Sequence, residues 1–136
     1  MKYSYEVSGT DFTAAGYASS EIKKILKTLG LPIDTIKRTS IAMYEAEINM
    51  VVHGGGGVAN VEITDSEIII IMEDKGPGIP DIDKAMEEGF STASEKVREL
   101  GFGAGMGLPN IKRNSDFMNI ESTVGVGTKV TIKIKI

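Results

Sequence analysis

Glu45, Asn49 and His53 recur at every fourth position in the run from Tyr44 to His53. On a helix that spacing stacks three side chains along one face. Ile41, Tyr44, Ile48, Val51 and Val52 form an apolar stripe beside them. At ~100° of turn per residue, the polar ridge falls just off the buried side. A carboxylate and a carboxamide are thus held at the margin of a core, with their reactive ends aimed sideways. Glu45 alone would be an ordinary helix-surface glutamate. With Asn49 one turn on, it becomes a candidate general base, because a carboxylate beside a dry pocket can take a proton from an attacking hydroxyl. The Asn49 carbonyl oxygen suits Mg2+, a hard cation that takes few protein ligands and keeps waters and phosphates. Glu47 falls between the two and is expected to face solvent. His53 stands at the helix C-terminus, where the dipole favours it, and reads as a cap.

Two glycine clusters could complete a nucleotide pocket around that ridge. Asp74-Lys75-Gly76-Pro77-Gly78-Ile79 follows a strand-like run, and Gly101-Phe102-Gly103-Ala104-Gly105-Met106-Gly107-Leu108 precedes a helix. The Asp74 carboxylate can accept from the amino group of adenine, while Gly76 and Gly78 let the backbone approach the ring. An Asp-x-Gly turn also occurs widely without a ligand. Gly103, Gly105 and Gly107 stand at a helix start, where backbone N–H groups and the dipole can hold phosphate oxygens. This is not a Walker A loop, because no Gly-Lys-Ser/Thr follows. Gly54-Gly55-Gly56-Gly57-Val58-Ala59 fits G-x-G-x-x-A, but it follows a helix and precedes a strand, the wrong context for a dinucleotide site. Lys96 and Arg98, in the segment before the second cluster, either neutralise phosphate charge or are solvated loop residues.

In chain order, Glu45-x-x-x-Asn49, then Asp74-x-Gly76-x-Gly78-Ile79, then Gly103-x-Gly105-x-Gly107-Leu108 resemble the N, G1 and G2 boxes of the GHKL, or Bergerat-fold, ATPases. The resemblance covers nearly the whole chain. It implies ATP and Mg2+ as cofactors, Glu45 as catalytic base and Asn49 as the Mg2+ ligand. It also implies Asp74 as the adenine-specifying residue, with Thr128 supporting the same contact from a late strand. Within that superfamily, the small size, Glu73 to Ile82 and Glu88-Gly89-Phe90-Ser91-Thr92 resemble the anti-sigma and stress-switch serine kinases. The implied substrate is a Ser or Thr on a small STAS-domain antagonist or stress-switch protein. A sigma factor is a further candidate partner and a homodimer a candidate assembly. One departure matters. Spore-type anti-sigma kinases carry an Arg just before the G2 glycines, where this chain has Gly103-Ala104. Either Arg98 substitutes, or phosphoryl transfer is slow or lost. The stress-switch kinases share the glycine-rich G2 box and are the nearer match. Two alternatives stay open: a nucleotide-gated anti-sigma or partner-switch protein with little or no turnover, and a histidine-kinase-like ATPase domain. The second is disfavoured because nothing in the chain resembles a dimerisation helix with a phospho-acceptor His.

The elements that must position these residues follow from periodicity and punctuation. Lys2 to Ser8 alternates and reads as an edge strand. Phe12 to Leu29 reads as one helix, stopped by Gly30 and Pro32. The central helix runs from about Ile33 to His53. Val58 to Ile63 and Glu67 to Glu73 are strands joined at Asp65-Ser66, the second a continuous apolar run that suits a central strand. Asp81 to Glu88 is a short helix. Phe90 to Gly103 has a weak pattern and is expected to be a mobile lid. Gly107 to Asn114 is a helix, and Phe117 to Thr123 and Thr128 to Ile136 form a hairpin. Helices grouped against antiparallel strands predict an α+β two-layer sandwich, its sheet mixed but mostly antiparallel and its helices on one face. The GHKL resemblance implies the same fold.

The 136 residues suffice for a single domain, 1–136, with one core. With no Cys there is no disulfide framework or thiolate metal site, and a single His excludes a His-rich zinc site. A net charge of −4 without a long basic stripe argues against a general nucleic-acid binder. No apolar run approaches a membrane span and no signal peptide is visible, so the expectation is a soluble cytoplasmic protein.

Overall fold

The computed structural model describes residues 1–87 and 107–136. Strand β1 (Lys2–Ser8) leads through a 3-10 turn (Phe12–Ala14) to helices α1 (Tyr17–Thr28) and α2 (Ile33–Val52). Then come β2 (Gly56–Ile63), β3 (Glu67–Asp74), a one-turn helix α3 (Ile82–Ala85), helix α4 (Gly107–Asn114), and strands β4 (Phe117–Thr123) and β5 (Gly127–Lys135). The five strands form one sheet in the order β1-β2-β3-β5-β4. Every pairing among them is antiparallel. The α+β two-layer expectation holds, and β1 is an edge strand with β3 at the centre, as their patterns predicted.

The core fills one side of the sheet. Ile68, Ile70 and Met72 alternate on β3, and Val130, Ile132 and Ile134 alternate on β5; all six are buried. The period of two puts each set on a single face. Over them lie Ala42, Met43, Ala46 and Met50 of α2, with Ile22 and Leu26 of α1 and Ile111 of α4. The opposite sheet face carries cross-strand pairs such as Glu73↔Lys129 and Glu67↔Lys135, and stays solvated.

Two expectations about the helices need correction. The stretch Phe12 to Leu29 is not one helix. It breaks at Ala15-Gly16, where Gly16 takes φ +95°, a left-handed conformation that a side chain resists. The α2 stripe is also rotated from the one expected. Tyr44 is 40% exposed, and the face turned to the sheet is Ala42, Met43, Ala46 and Met50. Small and flexible side chains let α2 lie close to the sheet, and their modest hydrophobicity hid the true face.

Glu47 overturns its expectation most fully. It is 2% exposed, not solvent-facing. Its Oε2 accepts from the N–H groups of Gly16 at 2.8 Å and Ala18 at 3.2 Å, and its Oε1 from that of Ser19 at 2.9 Å. These are donors at the start of α1 that no intrahelical acceptor can satisfy. A side chain of α2 therefore caps α1, and the turn at Gly16 exists to present those donors. Beyond it, Arg38 of α2 pairs with Asp116 at 3.2 Å, and the Asp116 carboxylate also accepts from the Lys135 N–H at 2.7 Å. The backbone bond and the guanidinium hold Asp116 below the usual carboxylate range.

Candidate nucleotide site

The site forms where the apolar rows of the sheet run out. One rung of the core side reads Tyr5, Ala59, Met72, Val130 and Ile120 across neighbouring strands. Two residues further along each strand, the register aligns Val7 with Gly57, Gly57 with Asp74, and Ser122 with Thr128. The same side of the sheet thus changes from aliphatic to carboxylate and hydroxyl within one rung.

Asp74 ends β3 with its carboxylate fixed. Oδ1 accepts from the N–H of Gly76 at 2.9 Å and of Thr128 at 3.2 Å. Among the described residues Oδ2 accepts no hydrogen bond, and it lies against Gly54, where an added Cβ would come within 2.5 Å of it. Gly76 packs on the Gly54 backbone, at 2.7 Å from an added Cβ to the Gly54 Cα. The glycine run after α2, discounted as a dinucleotide loop, therefore has a packing reason: it lets the end of α2 pass over Asp74. Gly78 has φ +79°, and an added Cβ there would meet the Thr123 carbonyl oxygen at 2.6 Å. The loop after β3 is tied down by Gly125 N–H donating to the Pro77 carbonyl at 2.9 Å. Ile79 donates its N–H to Ser122 Oγ at 2.7 Å, while its side chain packs against the core. Ser122 also reaches Gly127 O at 3.2 Å and Thr128 Oγ1 at 2.9 Å.

The helix side brings the remaining candidates together. Asn49 lies beside the start of α4, where a Cβ on Gly107 would be 3.0 Å from Asn49 Oδ1 and 3.2 Å from Nδ2. One turn along α4, Asn110 Nδ2 donates to Glu45 Oε1 at 3.3 Å, and Arg113 Nη2 donates to Asn110 Oδ1 at 2.6 Å. Gly107 and Asn110 are thus in register with Asn49 and Glu45. Leu108 is buried in the core and anchors the start of α4. The two walls meet through Gly54, which donates to the Asn49 carbonyl at 3.2 Å and abuts Asp74 on its other side. His53 is half-buried at the end of α2, its N–H bonded to the Asn49 carbonyl. Burial pushes its imidazole below the ordinary value. Gly103, Gly105, Lys96, Arg98 and the expected lid Phe90–Gly103 lie outside the described residues.

The donor set fits a nucleotide with a weakly ligated cation. Asp74 offers an acceptor suited to an exocyclic amine, and the close approach at Gly107 leaves backbone beside a carboxamide. Among the described residues no cluster of three or more His, Asp or Glu side chains forms a cage. A cation at Asn49 would take most of its shell from water and phosphate oxygens, as Mg2+ does. Sequence reasoning missed Ser122, Asn110 and Glu47. Asn110 was open to inference, since it stands one turn from Gly107 on the same helix face. Ser122 and Glu47 depend on long-range packing.

The match to known proteins agrees with this geometry. Residues 35–136 match the family model of the histidine kinase-, DNA gyrase B-, and HSP90-like ATPases. The serine/threonine-protein kinase RsbT of Bacillus subtilis is 37% identical over 112 residues, spanning 79% of this chain and 78% of that protein. The anti-sigma F factor of Clostridium beijerinckii is 30% identical over 125 residues, or 88% of this chain and 84% of the relative. In fold, the chain superposes on the mycobacterial sensor histidine kinase MprB with a TM-score of 0.55 at 15% identity, covering 99% and 97% of the two chains. It superposes on a chain of the SiaB-SiaC complex from Pseudomonas aeruginosa with a TM-score of 0.58 at 9% identity, covering 98% and 89%. At those identities the structural likeness speaks for the fold alone. The chain belongs to the histidine kinase-, DNA gyrase B- and HSP90-like ATPase family, in the company of the RsbT serine/threonine kinase and the anti-sigma F factors.

Proposed function

We propose that this chain is a cytoplasmic serine/threonine-protein kinase that uses ATP and Mg2+ to phosphorylate a STAS-domain partner, and so regulates a sigma factor or a stress-switch pathway. The observation that carries the reading is the alignment of Glu45 and Asn49 with Asn110 and Gly107, joined through Gly54 to the Asp74–Thr128 wall. The kinase and anti-sigma names of its relatives support the same activity.

Asp74 Oδ2 takes the adenine amine, and the Gly76–Ile79 loop borders the ring. Gly107, at the start of α4, offers its backbone to the phosphates. Asn49 Oδ1 would hold Mg2+. When bound, Mg2+ neutralises phosphate charge and orients the terminal phosphoryl group. Glu45 has one oxygen fixed by Asn110 and leaves the other to take the proton of the attacking Ser or Thr hydroxyl. Arg113 polarises Asn110 from behind.

A second reading, a nucleotide-gated binding protein with little turnover, is favoured by one feature: Gly103-Ala104 where spore-type kinases carry Arg. Labelled ATP, the purified protein and a STAS-domain protein encoded alongside it separate the two. The kinase reading predicts Mg2+-dependent label on a Ser or Thr of the partner, lost in Asn49→Ala together with Mg2+-dependent ATP affinity. Binding of ATP and partner without transfer would hand the case to the gated-binding reading.

A further inference from the structure

We infer that Ser122 is a positioning residue that sets the hydrogen-bond polarity of the base pocket and so its preference for a 6-amino purine. The inference rests on the proposal that Asp74 and Thr128 face the base.

A serine hydroxyl has one proton and two lone pairs. Ser122 Oγ has three partners: Ile79 N at 2.7 Å, Gly127 O at 3.2 Å and Thr128 Oγ1 at 2.9 Å. The Ile79 N–H can only donate, so it takes one lone pair. The Gly127 carbonyl can only accept, so it takes the serine proton. The one remaining lone pair must receive the proton of Thr128. No other assignment satisfies all three contacts. Thr128 Oγ1 then has no proton left to give, and what it offers outward is lone pairs alone.

Asp74 makes the same offer beside it. Its carboxylate is tied to Thr128 through Oδ1 and the Thr128 N–H at 3.2 Å, and Oδ2 can only accept. The wall thus presents two acceptors and no side-chain donor. An amino group at C6 of a purine satisfies such a wall, and a carbonyl oxygen there is repelled by both acceptors. Without Ser122, Thr128 keeps its proton and can turn it toward a carbonyl. Ser122 also takes the Ile79 N–H, so the loop bordering the base and the hydroxyl that reads it share one anchor.

The test is calorimetric titration of the wild type, Ser122→Ala and Ser122→Thr with ATP and with inosine triphosphate, which carries a carbonyl at C6. The wild type should prefer ATP. Ser122→Ala should lose about tenfold of that preference, a fold-change of one hydrogen bond's polarity, and Ser122→Thr, which keeps the hydroxyl, should restore most of it. A general weakening of the loop would lower both affinities and leave their ratio alone. If Ser122→Ala weakens the two nucleotides equally, the inference about Ser122 is overturned while the base-pocket reading stands. If the wild type binds both equally, the Asp74–Thr128 wall does not read the base, and both fall. Should Ser122→Ala not fold by circular dichroism, Ser122→Cys replaces it. Its thiol is a poor donor and acceptor, and the same loss of ratio is expected.

Discussion

Removing the Glu47 carboxylate should cost this fold about as much as truncating a large buried aliphatic side chain. The three N–H groups it accepts, from Gly16, Ala18 and Ser19, open α1 and have no other acceptor among the described residues. Ala18 and Ser19 are 1% and 5% exposed, so water cannot easily replace the carboxylate there. Gly16 is only half-buried and can be rehydrated. Two sealed donors at about 1–3 kcal/mol each bracket the loss from Glu47→Ala at about 2–6 kcal/mol. Glu47→Gln keeps one acceptor and turns an amide N–H2 toward donors, so about 2–4 kcal/mol is expected. Against a total of ~5–15 kcal/mol for a domain, either is a large fraction. Urea unfolding followed by circular dichroism measures both, with the slope checked for two-state behaviour. Hydrogen exchange should show the Ala18 and Ser19 amides losing protection first. A loss below about 1 kcal/mol for Glu47→Ala would refute the reasoning, because a surface glutamate costs no more than that.

Asp74→Asn should leave the fold intact, since the amide oxygen can still accept from Gly76 and Thr128, yet replace the free acceptor by a donor. ATP affinity by calorimetry should fall at least tenfold, or about 1–3 kcal/mol. Gly78→Ala forces a side chain to φ +79° and against the Thr123 carbonyl; a loss of about 1–2 kcal/mol or more in stability is expected from the conformation alone, read from the urea midpoint. His53 predicts a pH dependence. Its imidazole is held below its ordinary value of 6.5 by burial, so the fold favours the neutral form. Its contribution is whole above that value and is lost as the pH falls through it toward the lower folded one. His53→Gln should flatten the change in urea midpoint between about pH 8 and about pH 5.

What the sequence made legible were features with a local signature. The α2 boundaries follow from Pro32 and the glycine run. The β3 assignment follows from its unbroken isoleucines, and the hairpin from Val124-Gly125-Val126-Gly127. The site pairs followed from fixed spacing: Glu45 with Asn49 on one helix face, and Asp74 with the glycines after it. What stayed hidden depends on residues distant in sequence. Glu47 has the same type and helix as Glu45, and only α1, packed 28 to 31 residues away in sequence, decides that one is buried and the other not. The break at Gly16 follows from the same contact. Tyr44 belongs to the apolar stripe by residue type, yet the sheet selects the smaller Ala42 and Ala46 for close approach. Ser122 reads as an ordinary strand residue until the register sets it opposite Thr128 and the loop of Ile79 closes on it.

The most direct test of the central claim is single-turnover transfer of labelled phosphate from ATP to the STAS-domain partner by the wild type and by Glu45→Ala, with ATP affinity measured alongside. Glu45 is assigned to the proton of the attacking hydroxyl and not to the nucleotide. Transfer should therefore fall by roughly 10²–10⁴-fold, the usual range for losing a general base, while ATP affinity changes little. Transfer by Glu45→Ala at the wild-type rate would contradict the account.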